Sequence, residues 1–384
     1  MCNTELGNFI QNNKEWEDIL TREPYCLKIK RDSEFVMLSY NQITSDFNNS
    51  VVREARGIIF EEGYWDYPVC HGFDKFGNYG ESYVPEIDWS TAKVTEKIDG
   101  SLIKVWCDRS NTWHISTNGT INAYNAQFSD IDDDNFGKLF EESLKKYNLS
   151  IHDLFSKLAT GFTYMFELVS PKTRVVIPYH DTDIYFLGYR DNSTSIEFPF
   201  FEDSKAYSFF EQEFLKNIKK PNIYSLSSLE DCIEASNKLS WDEEGYVVVD
   251  KNCNRCKIKS PNYILAHYSR MNGVITRRKL IKIILDNEVE EFLLYAEDYK
   301  DRINQLKNLM FTIEKDYTNA VTEIQEHAYD DRKEYSIDVK KYPKYIQNFL
   351  WYNYNKKVTF KEYSEFWTPD IWNNIIDCYE RKSV

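Results

Sequence analysis

No apolar run in the 384 residues approaches the length of a membrane span, so we expect no contact with a membrane. The first ten residues lack the charged start and the apolar middle of a signal peptide. We therefore expect a soluble protein of the cell interior. The formal net charge of −15 argues against a generic basic coat for nucleic acid, although it is compatible with a local basic groove.

Cysteine is also scarce. The eight cysteines are too few and too scattered for a disulfide framework in a chain of this length, and we expect reduced thiols. Cys253 and Cys256 form a CxxC pair, but a tetrahedral zinc site needs further Cys or His ligands, and no second such pair exists. A loop between two strands is the expected setting of this pair.

Three other patterns are missing. The chain has no evident internal repeat, no low-complexity segment and no GxxxxGKS or GxxxxGKT motif, so nothing indicates a repeat architecture or a P-loop kinase. Aromatic residues, by contrast, are abundant: 28 Tyr, 24 Phe and 9 Trp predict a ring-rich core. The length is sufficient for two domains.

The larger part of the chain reads as short strands separated by turns. Strands are predicted at residues 35–40, 56–60, 93–107, 114–117, 162–169, 184–189, 245–249 and 255–259, and helices at 136–147 and 206–217. Because neighbouring strands are joined by short turns, we expect antiparallel sheets and not a doubly wound parallel sheet. The fold class is therefore α+β.

After about Pro261 the strand pattern ends. Apolar residues at alternating spacings of four and three run from Tyr299 to Ile324, which predicts the seam of one long helix packed against others. We therefore predict two domains, an antiparallel-sheet domain at residues 1–262 and an all-α domain at 263–384.

The charge of residues 251–285 differs from that of the whole chain. This segment contains nine Lys or Arg and no Asp or Glu. One interpretation is a solvated basic helix face around residues 277–279, which is what charge runs usually mean. The other is a strip that holds polyphosphate or an RNA backbone.

Lys97 precedes a turn between two predicted strand segments. Asp99 and Gly100 form a strong turn dipeptide, and apolar strand residues lie on both sides. The sheet would fix the stem of Lys97, while Gly100 lets the backbone approach a ligand. The pattern KxDG alone is equally compatible with an exposed lysine before a hairpin turn, so further residues must decide.

Several charged residues interrupt apolar strands elsewhere. A charge in such a place costs free energy unless it is paired or faces a cleft. Strand alternation puts Lys257 and Lys259 on the same face, where two like charges favour an anionic partner. Glu167 and Glu244 are candidate catalytic carboxylates, or alternatively ordinary salt-bridge partners of these lysines. Arg56, in EARGIIF, completes the set.

In chain order these residues resemble the motifs of the covalent nucleotidyltransferases, the superfamily of ATP-dependent DNA and RNA ligases and GTP-dependent capping enzymes. The spelling is most similar to the bacteriophage T4-type RNA ligase 1 family. The resemblance extends from about Phe35 to Tyr263 and includes SYN at 39–41, EARGIIF, FDKFGN, EKIDGSL, FELVSPKTRVVIPY, EEGYVVV and KIKSPNY.

The resemblance implies that Lys97 is the nucleophile that receives AMP. It also implies a catalytic role for Glu167, Glu244, Lys257 and Lys259. The implied contacts to ATP are Tyr40, Arg56, Lys75, Glu96, Asp99, Gly100, Asn118 and Tyr263. Where the family has a lysine before glycine, this chain has Asn118, which can donate hydrogen bonds but carries no charge.

A divalent metal belongs to the implied chemistry. Mg²⁺ suits it because this ion keeps several waters and binds few carboxylates together with substrate phosphates, and Mn²⁺ is an alternative. The candidate ligands are Asp99, Glu167 and Glu244. For the family's acidic residue early in the helical domain, the candidates are Asp286 and Glu290. An amine attacks phosphorus only when unprotonated, and the neighbouring lysines are expected to favour that form.

The implied function is ATP-dependent sealing of RNA 5′-phosphate and 3′-hydroxyl ends. The family suggests tRNA with a broken anticodon loop as the substrate, gripped by the helical domain, in the cytoplasm, or that of the host cell if the source is a bacteriophage or another virus. A separate polynucleotide kinase/phosphatase would prepare the ends. The alternatives are a catalytically silent RNA-binding protein on the same fold, a DNA ligase, or a capping guanylyltransferase; the last two usually carry a β-rich domain after the paired lysines.

Overall fold

A computed structural model describes residues 4–42, 44–129, 134–201, 217–269, 275–286, 288–293, 296–325, 332–356, 358–364 and 367–381. The chain divides into two compact units, Met1–His267 and Tyr268–Val384. The helix predicted at 206–217 lies outside the described ranges, except for its last residue. Among the described residues, none of the helices combines the length and the apolar character that a membrane span requires.

The described residues of the first unit form three antiparallel sheets. The strands are β1 (Lys28–Asp32), β2 (Phe35–Ser39), β3 (Arg56–Glu61), β4 (Lys93–Glu96), β5 (Ser101–Cys107), β6 (Trp113–Ser116), β7 (Phe162–Val169), β8 (Asp183–Asp191), β9 (Glu197–Pro199), β10 (Ile223–Tyr224), β11 (Gly245–Val249) and β12 (Arg255–Lys259). Their orders are β1-β2-β3, β10-β4-β11-β12 and β6-β5-β7-β8-β9. The α+β class with antiparallel sheets is thereby confirmed.

The helices of this unit cover the sheets. They are α1 (Glu5–Asn12), α2 (Trp16–Leu20), α3 (Ser50–Glu54), α4 (Phe136–Lys145), α5 (Ile151–Lys157) and α6 (Leu229–Ser236), and α7 (Pro261–Ser269) begins in this unit and ends two residues past its last residue, His267. Amphipathic α4 begins where the Asn135 side chain accepts a hydrogen bond from the backbone of Lys138, and α5 has a full capping box. Their apolar faces pack against buried rings of β7 and β8 such as Tyr164 and Phe186, so the predicted ring-rich core is present.

The segment from Lys97 to Gly100 connects two different sheets. β4 pairs with β10 and β11, whereas β5 pairs with β6 and β7. The two strands that flank Asp99-Gly100 therefore do not form a hairpin, and reading residues 93–107 as strands joined by an ordinary tight turn was wrong. This crossover places Lys97 where the two sheets approach each other.

Among its described residues, the second unit contains helices and connecting turns but no strand. Its helices are α8 (Arg277–Leu285), α9 (Val289–Leu293), α10 (Lys300–Gln325), α11 (Arg332–Val339), α12 (Lys344–Lys356), α13 (Phe360–Ser364) and α14 (Pro369–Glu380). The 26-residue α10 buries the predicted stripe from Ile303 to Ile324, which confirms the long helix. Tyr317 in this stripe donates a hydrogen bond to the carbonyl of Tyr345, 2.7 Å away.

The basic face of α8 is paired within the second unit. Arg277 contacts the carboxylates of Asp377 and Glu380, and Arg278 contacts that of Asp370, all three in α14. These contacts agree with the interpretation of this part of the charge run as a structural helix face. Residues 255–259 of the same run lie in the first unit, where Arg255 and Lys257 line a cavity.

Candidate active site

The amine of Lys97 lies against a buried carboxylate. Lys97 Nζ is 2.7 Å from Oε1 of Glu244, whose side chain is only 5% exposed, while that of Lys97 is 21% exposed. The Nζ atom of Lys259 lies 3.9 Å from the same oxygen. Glu244 is thus the ion-pair partner of both lysines. The salt-bridge interpretation had named Lys259 as a partner of Glu244, but it had not named Lys97.

The strand pair β11–β12 fixes this arrangement. Gly245 is opposite Lys259, and its carbonyl accepts a hydrogen bond from the Lys97 backbone at 2.9 Å. With φ at +135°, a Cβ on Gly245 would lie 2.2 Å from the carbonyl oxygen of Ile258, so only glycine fits there. The close approach of the two strands brings Glu244 to the two lysines.

The Asp99 side chain anchors the crossover through hydrogen bonds to three other residues. One carboxylate oxygen accepts hydrogen bonds from the backbone N–H groups of Val176 and Ile177 at 3.0 and 2.9 Å. The other accepts one from the hydroxyl of Tyr263 at 2.9 Å. Both oxygens are therefore engaged by the protein, which favours a positioning role for Asp99 and Tyr263; their roles toward metal and ATP stay predictions. Tyr263 lies in the first unit, not at the start of the helical one.

A cavity of about 300 Å³ opens at Lys97. The structure brings seven of the predicted residues to its wall: Arg56, Glu96, Lys97, Gly100, Asn118, Glu167 and Lys257. The remaining wall is largely apolar, with rings such as Phe76 and Phe200. Such a cavity, apolar with a few convergent charges, is typical of a small-ligand site.

Two of these wall residues, Glu96 and Asn118, accept hydrogen bonds from neighbouring segments of the chain. The carboxylate of Glu96 accepts a hydrogen bond from the side chain of Asn222 at 2.8 Å. The carbonyl of Asn118 accepts one from Ser39 at 3.1 Å, while its buried side-chain oxygen has no partner among the described residues. An unpaired buried acceptor at the wall indicates that a donor on a ligand or a water completes it.

Glu167 and Glu244 have raised pKa values. Burial is the main cause for Glu167 and, with the nearby charge of Glu244, raises its pKa to about 7 against the pull of Lys97 and Arg56. Burial likewise raises the pKa of Glu244, opposed by Lys97 and Lys259. The second oxygen of Glu244 is buried with no hydrogen-bond partner among the described residues. Perturbed carboxyls in a cleft are typical of functional sites.

These two carboxylates are the donors best suited to a divalent metal. Among the described residues, no cluster of three or more His, Cys, Asp or Glu side chains is arranged to hold one. Two carboxylates with substrate phosphates nevertheless fit the habit of Mg²⁺. Asp286, paired with Lys282, and the exposed Glu290 belong to the second unit. Their metal role stays a prediction.

Tyr40 and Lys75 contact each other, and neither lines the Lys97 cavity. The amine of Lys75 lies 5.4 Å from the ring centre of Tyr40 and 4.9 Å from that of Phe47. Lys75 lines a second cavity, of about 610 Å³. Phe76 and Arg255 line both cavities.

Sequence reasoning missed two cations at this site. Arg255 lies two residues before Lys257, so the alternation that grouped Lys257 with Lys259 also includes it. Lys104 is completely buried in β5, where its amine donates to the carbonyl of Gly57, next to Arg56. Burial lowers the pKa of Lys104. The rule that a charge inside an apolar strand needs an explanation could have identified it in SLIKVWC.

Known proteins resemble this chain over the same region. The model of a family described as RNA ligase, of the T4 RNA ligase 1 type, matches residues 54–263. A protein of Autographa californica nuclear polyhedrosis virus, whose name describes a bifunctional polynucleotide kinase/RNA ligase, is 30% identical over 290 residues. That match covers 71% of this chain but 39% of the viral protein, so this chain spans about two fifths of that relative.

Two further similarities extend over most of the chain. An RNA ligase of Rhodothermus phage RM378 is 27% identical over 376 residues, which covers 82% of this chain and 84% of the phage protein. The solved structure of an archaeal ATP-dependent RNA ligase has a TM-score of 0.44 and 12% identity, and covers 87% of this chain and 88% of that one. At this TM-score the structural likeness adds no argument.

Proposed function

Because the chain belongs to the RNA ligase family of the T4 RNA ligase 1 type, we propose that it is an ATP-dependent RNA ligase that works through a lysyl-AMP intermediate on Lys97. The observation that carries the proposal is the Lys97 amine at a 300 Å³ cavity, 2.7 Å from the Glu244 carboxylate. A lysine that is fixed between charged groups in a cleft is suited to covalent catalysis.

The chemistry has three steps. The Lys97 nitrogen attacks the α-phosphorus of ATP, the bond to the bridging oxygen breaks, and pyrophosphate leaves. An oxygen of the RNA 5′-phosphate then attacks the same phosphorus and releases the lysine nitrogen. Finally the RNA 3′-hydroxyl oxygen attacks the 5′-phosphate phosphorus and AMP leaves, so one phosphodiester bond is formed.

Lys97 must lose a proton before the first step. Its Nζ atom lies 2.7 Å from Oε1 of Glu244, and burial raises the pKa of that carboxyl. We assign to Glu244 the transfer of this proton and, with Lys259, the orientation of the nitrogen. A carboxyl of raised pKa is suited to general acid–base work near neutral pH.

The cations of the cavity stabilise the phosphate charge. Lys257 lines the cavity and Lys259 shares a partner with Lys97, which supports our assignment of both to the α-phosphate as negative charge moves to the leaving group. Arg56 serves the outer phosphates. Glu167 and Glu244 would hold Mg²⁺ or Mn²⁺, which supplies charge neutralisation on the phosphates.

The natural substrate is proposed on the resemblance to the family. We infer a tRNA with a broken anticodon loop, held by the helical unit, and end repair by a separate kinase/phosphatase. The viral relative's name includes a polynucleotide kinase, whereas this chain covers 39% of that relative and has no P-loop motif. The pairing of a polynucleotide kinase with an RNA ligase in that name supports end repair as the companion reaction of sealing.

The test combines labelling and sealing. With α-labelled ATP and Mg²⁺, we expect covalent label in the wild type and in Lys93→Ala, which changes an exposed lysine at the start of β4, and none in Lys97→Ala. The wild type should then seal a nicked anticodon stem-loop with 5′-phosphate and 3′-hydroxyl ends. Label from GTP alone would indicate a capping enzyme, and RNA binding without label would indicate a silent protein.

A further inference from the structure

A buried ion network stands between the two cavities. Glu197, at the start of β9, binds Arg255 through both carboxylate oxygens, with 3.2 Å between Oε2 and Nη1 and a short contact between Oε1 and Nη2. Arg190 of β8 donates to the same Oε2 at 2.9 Å and to Asp74 at 2.9 Å. All of these groups belong to the first unit, and the network ties β12 to β9.

Arg255 faces more than its carboxylate partner. Its guanidinium carbon lies 4.5 Å from the ring centre of Phe73 and 5.4 Å from that of Phe76. The guanidinium of Arg56 and the amine of Lys257 each lie 5.3 Å from the Phe76 ring centre. Three cations therefore surround one ring at the wall that both cavities share. Their mutual repulsion is relieved when an anion enters.

The geometry of the arginine allows it to hold a ligand and its partner together. A guanidinium has five N–H donors, and Glu197 engages two of them, so three more can serve a ligand. The bidentate contact fixes the plane of the group and removes the ordering cost of a free side chain. Burial raises the pKa of Glu197, but Arg255 and Arg190 outweigh it and keep the carboxylate ionised.

The position along β12 indicates which part of a ligand Arg255 would reach. Residues two apart on a strand are separated by roughly 6.5 Å, and Arg255, Lys257 and Lys259 follow one another at that interval on one face. Lys259 lies beside the Lys97–Glu244 pair. Arg255 is therefore the member of the row farthest from the reacting nitrogen, at the edge of the second cavity.

We propose that Arg255 is a phosphate-binding residue of the Lys97 cavity, and that Glu197, itself held by Arg190, is the residue that positions it. This inference rests on the proposed function. The ligand group is a phosphate beyond the one that Lys97 attacks. It belongs either to the β,γ-phosphates of ATP or to the 5′-end of RNA, two sources that share one chemistry.

The test compares Arg255→Met with Arg109→Met. Arg109 also forms ion pairs, with Glu61 and Asp66, but lines neither described cavity. Loss of one charge-assisted phosphate contact is expected to weaken the interaction roughly 10- to 100-fold. In Arg255→Met, Glu197 keeps its contact with Arg190, and circular dichroism and thermal unfolding verify that the fold is retained.

Four measurements separate the outcomes: the ATP KM, ATP binding by calorimetry, sealing of pre-adenylated RNA and the KM for 5′-phosphate RNA. If ATP is the source, Arg255→Met raises the ATP KM and weakens ATP binding by calorimetry, while sealing of pre-adenylated RNA is unchanged. If RNA is the source, ATP binding is unchanged and the KM for 5′-phosphate RNA rises. Glu197→Gln should give the same pattern more weakly, with rescue in Glu197→Asp. Unchanged ATP binding and unchanged RNA KM in a folded Arg255→Met protein would overturn the proposal.

The calorimetric arm also separates this proposal from the proposed function. Performed on Lys97→Met protein, it measures ATP binding without any covalent step. A wild type that forms no lysyl-AMP but binds ATP through Arg255 would refute the ligase function and support the phosphate contact. A wild type that forms lysyl-AMP, in a protein where Arg255 contributes nothing to binding, would support the ligase function and refute the phosphate contact. A protein that binds neither ATP nor RNA 5′-phosphate would refute both.

Discussion

Replacing Glu167 with Gln tests the electrostatics of the cavity through the stability of the folded protein. Burial raises the pKa of Glu167 from an ordinary value near 4.5 to about 7. The folded protein therefore binds one more proton at this carboxyl than the unfolded chain does between these two values. Its unfolding free energy must fall as the pH rises through that window.

The size of the effect follows from the shift. Each pKa unit corresponds to about 1.4 kcal/mol, so the ionised Glu167 costs the ligand-free protein about 3 kcal/mol above pH 7. Between pH 5 and pH 8 the contribution changes by about 2 to 3 kcal/mol. Gln is neutral at every pH and removes this dependence. The stability of Glu167→Gln relative to the wild type should therefore increase by that amount from pH 5 to pH 8.

Urea-induced unfolding at pH 5, 6, 7 and 8 measures the difference. Burial also raises the pKa of Glu54 to about 7, with help from the charge of Asp74, and this slope is common to both proteins and cancels. Glu230→Gln, at an exposed position in α6, is the matched control and should keep the wild-type slope. Equal pH slopes for Glu167→Gln and the wild type would refute the reasoning, because Glu167 would then ionise like a solvated carboxyl.

Two further predictions concern the crossover. Asp99→Ala leaves the backbone N–H groups of Val176 and Ile177 without their acceptor and should lower the unfolding free energy by about 2 to 4 kcal/mol, whereas Tyr263→Phe removes one hydrogen bond and should cost about 1 to 2 kcal/mol; equal losses in chemical denaturation would contradict this. Gly100→Ala places a Cβ 2.5 Å from the carbonyl oxygen of Leu168 and should abolish lysyl-AMP formation, whereas Gly119→Ala meets no heavy atom within 4 Å and should not. Full adenylation of Gly100→Ala would show that the crossover tolerates displacement.

Most of the fold prediction rested on the local periodicity of apolar residues. Strand alternation and the spacing of four and three along α10 are short-range patterns, and each element forms where its apolar residues can reach a common core. The crossover at Lys97 was different, because the pairing of β4 with β11 joins residues about 150 positions apart and has no local signal. The turn dipeptide Asp99-Gly100 was visible, but its two sheets were not.

About as much of the candidate site as of the fold could be predicted from the sequence. Charges in apolar strands, ordered as in the family, brought Glu244, Lys257 and Lys259 into the argument, and the structure places all three near Lys97 or its cavity. The contact between Lys97 and Glu244 depends on tertiary packing and could not be read from spacing. Arg255 could have been found by extending the same alternation by two residues.

The central claim is that Lys97 carries the nucleotide. Tandem mass spectrometry of peptides from protein incubated with ATP and Mg²⁺ tests this claim most directly, because it locates the adduct on one side chain. We expect one AMP per chain, on the nitrogen of Lys97, with loss of the adduct when RNA 5′-phosphate is added. An AMP on another residue, or no AMP on a protein that seals RNA with ATP, would contradict it.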